Sequence, residues 1–214
     1  MILFITGLIP KSTTRKHIRK RYLIGQKCPK NNIFYLVTKS TKKKRKFINN
    51  GLKIEIYGIN NIIEIDESAS YHEAYLIIRG NNNKFYIGKN VTACNAKFFL
   101  YGNDCSIEIG DDCMFSYDVE IWSGDGHAIF NDNNNRPING GENVVIGKHV
   151  WLGAHTRILK GSKVGDGCII GMSSLVNKKF DRNNCILAGN PARIIKQNMI
   201  WERPSPEYYL EKNN

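Results

Sequence analysis

The chain has 214 residues, 42% of them hydrophobic, and a formal net charge of +12. The positive charge is confined to one end: residues 1 to 50 hold 14 Lys and Arg and no acidic residue, which leaves 17 basic and 19 acidic residues for the rest. This distribution argues against a uniformly basic nucleic-acid-binding protein, and no nucleic-acid-binding module is recognisable. We therefore expect no nucleic-acid partner.

The basic N-terminal segment, residues 1 to 50, opens with nine mostly apolar residues before Pro10, too few to span a bilayer. No basic region precedes this run and no small-residue cleavage site follows it, which argues against export. Two basic clusters follow, and each basic residue near an anionic leaflet contributes about 1 kcal/mol of attraction. We expect peripheral contact with the inner face of the membrane, a cap over the end of the next domain, or both.

A period of 22 residues begins near residue 54. It is shown by two sets of residues: Gly58, Gly80 and Gly102, and Ile65, Ile87 and Ile109. Three six-residue units plus a four-residue Asn-Gly bulge account for 22 residues. The period therefore predicts one coil of a repeat architecture for each 22 residues.

A long excursion interrupts the repeats at residues 123 to 144, SGDGHAIFNDNNNRPINGGENV. It is rich in Gly, Asp and Asn and has no strand period. Loops of this length without structure of their own are usually functional or disordered. This one contains His127, one of five histidines in the chain.

Six-residue repeats resume after the excursion. Aliphatic residues occupy every sixth position, at Ile146, Leu152, Ile158, Val164, Ile170 and Val176. The residue four places on is small or β-branched, as at Val150, Thr156, Ser162, Cys168 and Ser174. This period fits short strands joined by tight corners, with both slots facing inward. Stacked coils then bury a column that no single unit could bury alone.

These patterns predict an all-β, parallel coil stack over residues 51 to 190, with the excursion at 123 to 144. A C-terminal tail, residues 191 to 214, follows it. Its Trp201, Tyr208 and Tyr209 predict packing on the coils or on a neighbouring subunit.

Three segments carry a resemblance to a known family: DGHAIFNDNNNRPIN, VVIGKHVWLGAHTRILKGSKVGDGCIIGMSSLV and CILAGNPARIIK. The sequence resembles the hexapeptide-repeat acyltransferases, in the branch of galactoside, maltose and capsular-polysaccharide O-acetyltransferases. The resemblance implies a left-handed parallel β-helix, acetyl-CoA as co-substrate and a homotrimer with sites between subunits. It covers about residues 123 to 196 with specific motifs and none of residues 1 to 50.

The resemblance also implies site residues. His127 matches the loop histidine that acts as general base, and Trp151 and Ala154 match the tryptophan and the backbone N–H beside the thioester. The positions that match donor-binding residues further along the coil are Met172, Ser173, Lys178, Pro191, Arg193 and Lys196. In such enzymes His127 of one subunit would face Trp151 of the next.

The chemistry needs these groups. A sugar hydroxyl is a poor nucleophile at neutral pH, and an imidazole side chain is suited to remove its proton during attack. A positioned backbone N–H stabilises the resulting oxyanion, by about 3 kcal/mol per donor. For the carbohydrate acceptor we expect contacts from Tyr101, Tyr117, Trp122, Asp125 and Arg136. Asp125 has two alternative roles, to orient the imidazole of His127 or to form a turn. Trp151 has the alternative role of ordinary packing, and Arg136 that of tying the excursion down.

Metal and thiol chemistry are not expected. The histidine spacing does not match the zinc carbonic anhydrases that share this kind of coil, and His149 and His155 are predicted to be corner or surface residues. Cys113 and Cys168 fall on inward slots, where a small hydrophobic residue belongs. The six cysteines form no C-x-x-C pair and are interpreted as reduced, which favours a cytoplasmic location.

The sequence therefore predicts an O-acetyltransferase that moves an acetyl group from acetyl-CoA to a sugar hydroxyl of a surface polysaccharide or its precursor. An N-acetyltransferase acting on an amino sugar is the nearest alternative. A non-catalytic β-helix that serves as a scaffold is an alternative of a different class.

Overall fold

The structure is a computed structural model that describes residues 14–16, 23–24, 33–38, 51–132 and 135–212, with the backbone alone before residue 51. The strands before the excursion are β1 (Thr14–Lys16), β2 (Leu23–Ile24), β3 (Ile33–Thr38), β4 (Leu52–Tyr57), β5 (Ile62–Asp66), β6 (Ser70–His72), β7 (Ala74–Arg79), β8 (Lys84–Ile87), β9 (Thr92–Cys94), β10 (Lys97–Tyr101), β11 (Ser106–Ile109), β12 (Met114–Phe115) and β13 (Glu120–Trp122). The elements after it are β14 (Val144–Ile146), β15 (Trp151–Leu152), β16 (Arg157–Ile158), β17 (Lys163–Val164), β18 (Ile169–Ile170), β19 (Leu175–Val176), β20 (Lys179–Phe180), β21 (Cys185–Gly189), β22 (Ala192–Gln197) and the helix α1 (Pro206–Lys212).

These strands form three sheets, the faces of a prism. Face 1 has the order β1-β3-β5-β8-β11-β14-β17-β20, face 2 has β22-β21-β18-β15-β12-β9-β6, and face 3 has β19-β16-β13-β10-β7-β4-β2. From β5 onward the chain passes from face 1 to face 2 to face 3 in each coil. We call the edges corner 1–2, corner 2–3 and corner 3–1. Within this path every pairing between successive coils is parallel, and among the described strands only β1 with β3 and β22 with β21 pair antiparallel. The predicted parallel coil stack is therefore confirmed.

The predicted repeat length is confirmed by the register of the strands. Ile62 lies opposite Lys84 and Lys84 opposite Ser106, so successive coils are 22 residues apart before the excursion. After it, Trp151 lies opposite Ile169, a spacing of 18 residues. The difference of four residues is the bulge at corner 3–1. The excursion leaves at the same corner, as residues 123 to 143 between β13 and β14.

The interior of the stack is the predicted column of side chains. The six aliphatic slots from Ile146 to Val176 are each 1% exposed or less, and so are the five small slots from Val150 to Ser174. Burial of one aliphatic side chain contributes about 1.5 to 3 kcal/mol. The hydroxyls in the column have hydrogen-bond partners within the stack: Thr156 Oγ1 donates to Gly153 O at 2.6 Å, and Ser162 Oγ donates to Val176 O at 3.1 Å.

The corner positions are occupied by residues that tolerate a positive φ. The turns of the coils carry Asn, Asp, His and Ser at φ of 48° to 59°, as at Asn90, Asp112, His149, Asp118 and His155. Asn and Asp are enriched in this region of backbone conformation because their short side chains bond locally. His149 and His155 are thus corner residues, as predicted.

A column of asparagines holds the bulges at corner 3–1 together. Asn83 is buried; its amide nitrogen donates to Gly102 O at 2.8 Å, and its amide oxygen accepts from Cys105 N at 3.1 Å. The oxygen of Asn61 accepts from Asn83 N at 2.9 Å. At Gly80 a Cβ would overlap the carbonyl oxygen of Gly102, which explains the glycine at this step of the repeat.

The described strands before residue 51 join the sheets. β2 and β3 pair parallel with β4 and β5, so these two strands continue faces 3 and 1. The basic clusters of residues 1 to 50 lie largely outside the described residues, and their role as a cap or membrane contact stays a prediction. The division at residues 50 and 190 is likewise a prediction. Among the described residues, no helix is long and apolar enough to cross a membrane.

Replacing Asn83 by Ala should lower the free energy of unfolding by about 2 to 4 kcal/mol, because the partly buried Gly102 carbonyl and the buried Cys105 N–H lose their partners. Asn103→Ala is the matched control, since Asn103 Oδ1 accepts only the exposed N–H of Asn81. Urea denaturation measures both. Equal losses in the two variants would contradict this account of the column.

Candidate functional site

Four of the residues predicted to bind the acyl donor lie together at face 2 and corner 2–3, whereas Lys178, between β19 and β20, lies at corner 3–1. Trp151 is the first residue of β15 and its side chain is 37% exposed on the outside of face 2. Ala154 lies three residues on, in the turn of corner 2–3. Met172 and Ser173 occupy the same turn of the following coil, where Ser173 N donates to Ala154 O at 2.8 Å. Met172 is 69% exposed.

Tyr117, Ala154 and Met172 hold the same position in three successive turns of corner 2–3. The bonds that connect these turns run from the residue after this position, as from His155 N to Tyr117 O at 2.8 Å. As a result, the N–H groups of Ala154 and Met172 donate to no other residue that the structure describes. They are available to an acceptor on a ligand that lies along the corner.

The predicted basic residues lie at the C-terminal end of the stack. Lys178 is exposed, with Nζ 5.3 Å from the centre of the Phe180 ring. Arg193 and Lys196 are exposed on β22, and Pro191 lies in the turn between β21 and β22 after a cis peptide bond. Within the described part of the chain, none of the three cations forms an ion pair with an acidic residue. Their charges are therefore not neutralised.

His127 lies on the excursion, and Asn139 fixes the backbone around it. The amide nitrogen of Asn139 donates to His127 O and to Asp125 Oδ2, both at 2.8 Å, and its oxygen accepts from Ile129 N at 2.7 Å. Ile138 N donates in turn to Ile129 O at 2.8 Å. The excursion is thus a folded loop with the imidazole of His127 exposed on it.

Asp125 does not contact the ring of His127. Its carboxylate pairs with Lys160 at 2.6 Å as well as with Asn139. The hydrogen bond from Lys160 lowers the pKa of Asp125, against the opposing effect of burial. Asp125 therefore ties the excursion to the next coil, and a role in contacting the acceptor stays a prediction.

The predicted acceptor residues fall into two groups. Tyr101 and Trp122 lie on the outside of face 3, where Trp122 stacks on Phe99 with ring centres 3.8 Å apart and meets Tyr101 edge-on at 5.8 Å. Tyr101 lies directly under the start of the excursion, since its carbonyl oxygen accepts from Ser123 Oγ at 3.1 Å. Arg136 is exposed on the excursion, and Tyr117 is 65% exposed at corner 2–3.

A charged network on face 3 was missed by sequence reasoning. Asp118 pairs with Lys97 at 2.9 Å, with His155 at 3.2 Å and with Arg157 at 3.3 Å. These bonds lower the pKa of Asp118 to about 2, and the hydrogen bond from Lys97 has the largest effect. Lys97, Glu120 and Arg157 lie opposite one another in successive strands, next to corner 2–3. The register of the strands is the signal in the sequence from which this network could have been predicted.

Two of the cysteines belong to the buried column of side chains. Cys113 and Cys168 are fully buried, as predicted, and burial raises the pKa of the Cys113 thiol to about 12. In the described ranges there is no group of three or more His, Cys, Asp or Glu side chains that could hold a metal ion.

Known proteins share this architecture and these motifs. The family model described as bacterial transferase hexapeptide (six repeats) matches residues 143 to 178. A polysialic acid O-acetyltransferase of Neisseria meningitidis is 32% identical, and the match covers 68% of this chain and 87% of that relative. Another from Escherichia coli O1:K1 is 35% identical; the match covers 59% of this chain but only 41% of that relative. The crystal structure of the polysialic acid O-acetyltransferase OatWY has a TM-score of 0.69 at 28% identity, and covers 85% of this chain and 82% of that one.

The coil stack and the turns of corner 2–3 thus define a transferase built from hexapeptide repeats. The chain belongs to the family of hexapeptide-repeat acetyltransferases that includes the polysialic acid O-acetyltransferases. The family and the fold class predicted from the sequence, a left-handed parallel β-helix, are both confirmed.

Asn139→Ala should loosen the excursion while the coils stay intact. The substitution removes three hydrogen bonds, each worth about 1 kcal/mol. Amide exchange in peptides covering residues 125 to 139 should rise by about tenfold or more. Hydrogen exchange with mass spectrometry measures this, and exposed Asn135→Ala is the matched control. Unchanged protection in Asn139→Ala would show that other contacts order the loop.

Proposed function

We propose that the protein transfers the acetyl group of acetyl-CoA to a sugar hydroxyl of a surface polysaccharide or its precursor. One observation carries the proposal: the exposed ring of Trp151 on face 2 lies beside the unused N–H of Ala154 at corner 2–3. The chain is 32% identical to a polysialic acid O-acetyltransferase over 87% of that relative's length. Acetyl-CoA as donor is consistent with the predicted cytoplasmic location.

The donor would lie along corner 2–3. The N–H of Ala154 faces the thioester oxygen, and Met172 and Ser173 contact the pantetheine arm. Arg193 and Lys196 on face 2 would bind the phosphates, together with Lys178 of a neighbouring copy, because Lys178 lies at corner 3–1. All three are exposed cations that pair with no described acid, and Pro191 would lie near the adenine. An anion gains more binding free energy from unpaired surface cations than from cations that it must first separate from an acidic partner.

The reaction needs one base and one oxyanion donor. His127 removes the proton of the acceptor hydroxyl as its oxygen attacks the thioester carbonyl. The N–H of Ala154 stabilises the oxyanion of the tetrahedral intermediate. When the intermediate collapses, the C–S bond breaks, and the coenzyme A thiolate takes the proton from the imidazolium of His127. The products are the acetyl ester and free coenzyme A, with no acyl-enzyme intermediate.

The acceptor would contact residues on both sides of the Ala154 N–H. Tyr117 lies one coil before Ala154 on the same corner, whereas Tyr101, Trp122, Asp125 and Arg136 lie on face 3 and the excursion. Exposed aromatic rings are suited to stack on the apolar faces of sugars, and Arg136 is suited to an anionic group.

The proposed site is shared between copies of the chain. Face 3 separates corner 2–3, which carries Ala154, from corner 3–1, which carries the excursion and His127. A closed ring of three copies, each with face 3 turned toward a common axis, would bring His127 of one copy to Ala154 of the next. The stacked Phe99 and Trp122 rings supply apolar surface for that contact.

His127→Ala should lower turnover by about a hundredfold or more, because the acceptor hydroxyl loses its base. The assay is release of coenzyme A from acetyl-CoA in the presence of hydroxyl-bearing and amino-bearing glycans. His72→Ala removes another exposed histidine and serves as the control. Near-normal turnover in His127→Ala would refute the base assignment. A preference for amino acceptors would indicate an N-acetyltransferase, and no release with any glycan would indicate a scaffold.

Mixed trimers test the shared site. Chains with His127→Ala and chains with Trp151→Ala, carrying different tags, are expressed together and the mixed trimers isolated. In a trimer with both kinds of chain, one of the three sites combines an intact His127 with an intact Trp151, so activity should recover to about one third of the wild-type level. If the site lay within a single chain, every site would carry a defect and mixed trimers would stay as inactive as either variant alone.

A further inference from the structure

The segment after β22 packs against the coils beside Trp151. We call residues 198–205 the C-terminal arm. Trp201 of this arm is only 6% exposed. Its ring stacks on the ring of His149, with centres 4.2 Å apart and an angle of 11° between the planes, and its Nε1 donates to His149 O at 2.9 Å. A tryptophan of the tail is therefore part of corner 1–2.

Trp201 also contacts the tryptophan of the proposed donor site. The ring centres of Trp151 and Trp201 are 5.9 Å apart and the planes are tilted by 44°. Trp151 is partly exposed, so its outer surface is open to a ligand while one side is in contact with Trp201. Aromatic pairs at this distance and tilt contribute about 0.5 to 1.5 kcal/mol beyond burial. The contact restricts the orientations available to the Trp151 ring.

Arg203 fixes the other end of the arm. Its guanidinium donates to Asp112 Oδ1 and Thr92 Oγ1, both at 2.9 Å, and to the carbonyl oxygens of Asn90, Asp112 and Cys113 at 3.0 to 3.2 Å. These partners belong to two successive coils. A residue that binds two coils at five points holds the arm in one register along face 2.

His149 connects the arm to the coils through both ring nitrogens. Nδ1 lies 2.7 Å from Asp112 Oδ2 and Nε2 lies 3.0 Å from Trp201 O. Both partners are acceptors, and a neutral imidazole has only one N–H to donate. The geometry is therefore that of an imidazolium. Burial lowers the pKa of His149, but the hydrogen bonds to Trp201 O and to Asp112 outweigh it, and the net shift is upward.

We propose that Trp201 is a positioning residue for the acyl donor: the C-terminal arm holds the Trp151 ring in its donor-binding orientation, and the arm is held in turn by the imidazolium of His149. This inference rests on the proposed function, in which Trp151 lies beside the donor. It assigns a role in that site to a segment outside the family motifs.

The charges around His149 make the stabilisation of the C-terminal arm dependent on pH. Asp112 faces His149 from the previous coil and binds Arg203 of the arm with its other oxygen, and Glu202 of the arm adds a second negative charge. Because the pKa of His149 is raised, the stabilisation of the arm is fully present below pH about 6.5 and is lost as pH rises through the folded-state value.

The first experiment compares coenzyme A binding by calorimetry in the wild type, Trp201→Ala, Trp201→Phe and Ile200→Ala. Ile200 is the matched control, since it is 80% exposed on the same arm. We expect the Kd to rise about tenfold in Trp201→Ala, much less in Trp201→Phe, which keeps a ring to contact Trp151, and not at all in Ile200→Ala. In turnover, the KM for acetyl-CoA should rise while kcat changes little.

A wild-type Kd in folded Trp201→Ala would overturn the inference. Arg203→Gln releases the arm without emptying the space of Trp201; if Trp201→Ala does not fold, a wild-type Kd in Arg203→Gln would overturn it instead. Failure of the wild type itself to bind coenzyme A would refute the proposed function, so the two failures are distinguishable.

The second experiment measures the same Kd from pH 6 to pH 9 in the wild type and in His149→Asn, which tolerates the positive φ of this corner. Wild-type Kd should rise as His149 loses its proton. His149→Asn should bind coenzyme A weakly at every pH and should not show the rise in Kd that comes from deprotonation of His149. The titration of coenzyme A itself affects both proteins equally. Identical pH dependence in the two would show that His149 does not control the arm.

Discussion

Everything in this molecule depends on the stacking of coils in register. Each coil donates and accepts backbone hydrogen bonds along the stack, and its inward side chains lie on those of the next coil, as at Leu152 and Ile170. Strands in such a sheet lie about 4.8 Å apart, which leaves no room for an inserted residue on a face. The chain can therefore vary in length only at the corners. The four-residue bulges and the excursion all lie at corner 3–1.

This constraint also determines where chemistry can occur. A residue in a coil turn is repeated at a fixed height and orientation in each successive coil, so Tyr117, Ala154 and Met172 form a straight line on corner 2–3. In the proposed reaction the donor lies along this line, and the side chain that would remove the proton, His127, lies on the excursion at a different corner. The separation of these two corners by face 3 is the physical reason for proposing a site between copies of the chain.

The proposed role of Trp201 depends on the surroundings of the Trp151 ring. The coil fixes the backbone of Trp151, but the ring is on the outside, where the column of buried side chains does not reach it. Its orientation depends on what lies beside it, and that is Trp201. The arm is held mainly by polar groups at the surface, through Arg203, Asp112 and His149. Such contacts respond to pH, whereas the aliphatic interior does not.

The coils, the excursion and most of the proposed donor site can be predicted from the order of residues alone. Ile146 to Val176 repeat at a local period, and Trp151 and Ala154 lie within a contiguous motif, so both can be found without knowing which coils touch. The sequence did not reveal the partners of Asp118, His149 or Trp201. His155 lies 37 residues from Asp118, Trp201 lies 52 from His149, and Arg203 lies 91 from Asp112. These residues come into contact only when the coils stack and the tail returns along them. For that reason, the tertiary structure is needed to show which charges meet and what lies beside the tryptophan of the proposed donor site.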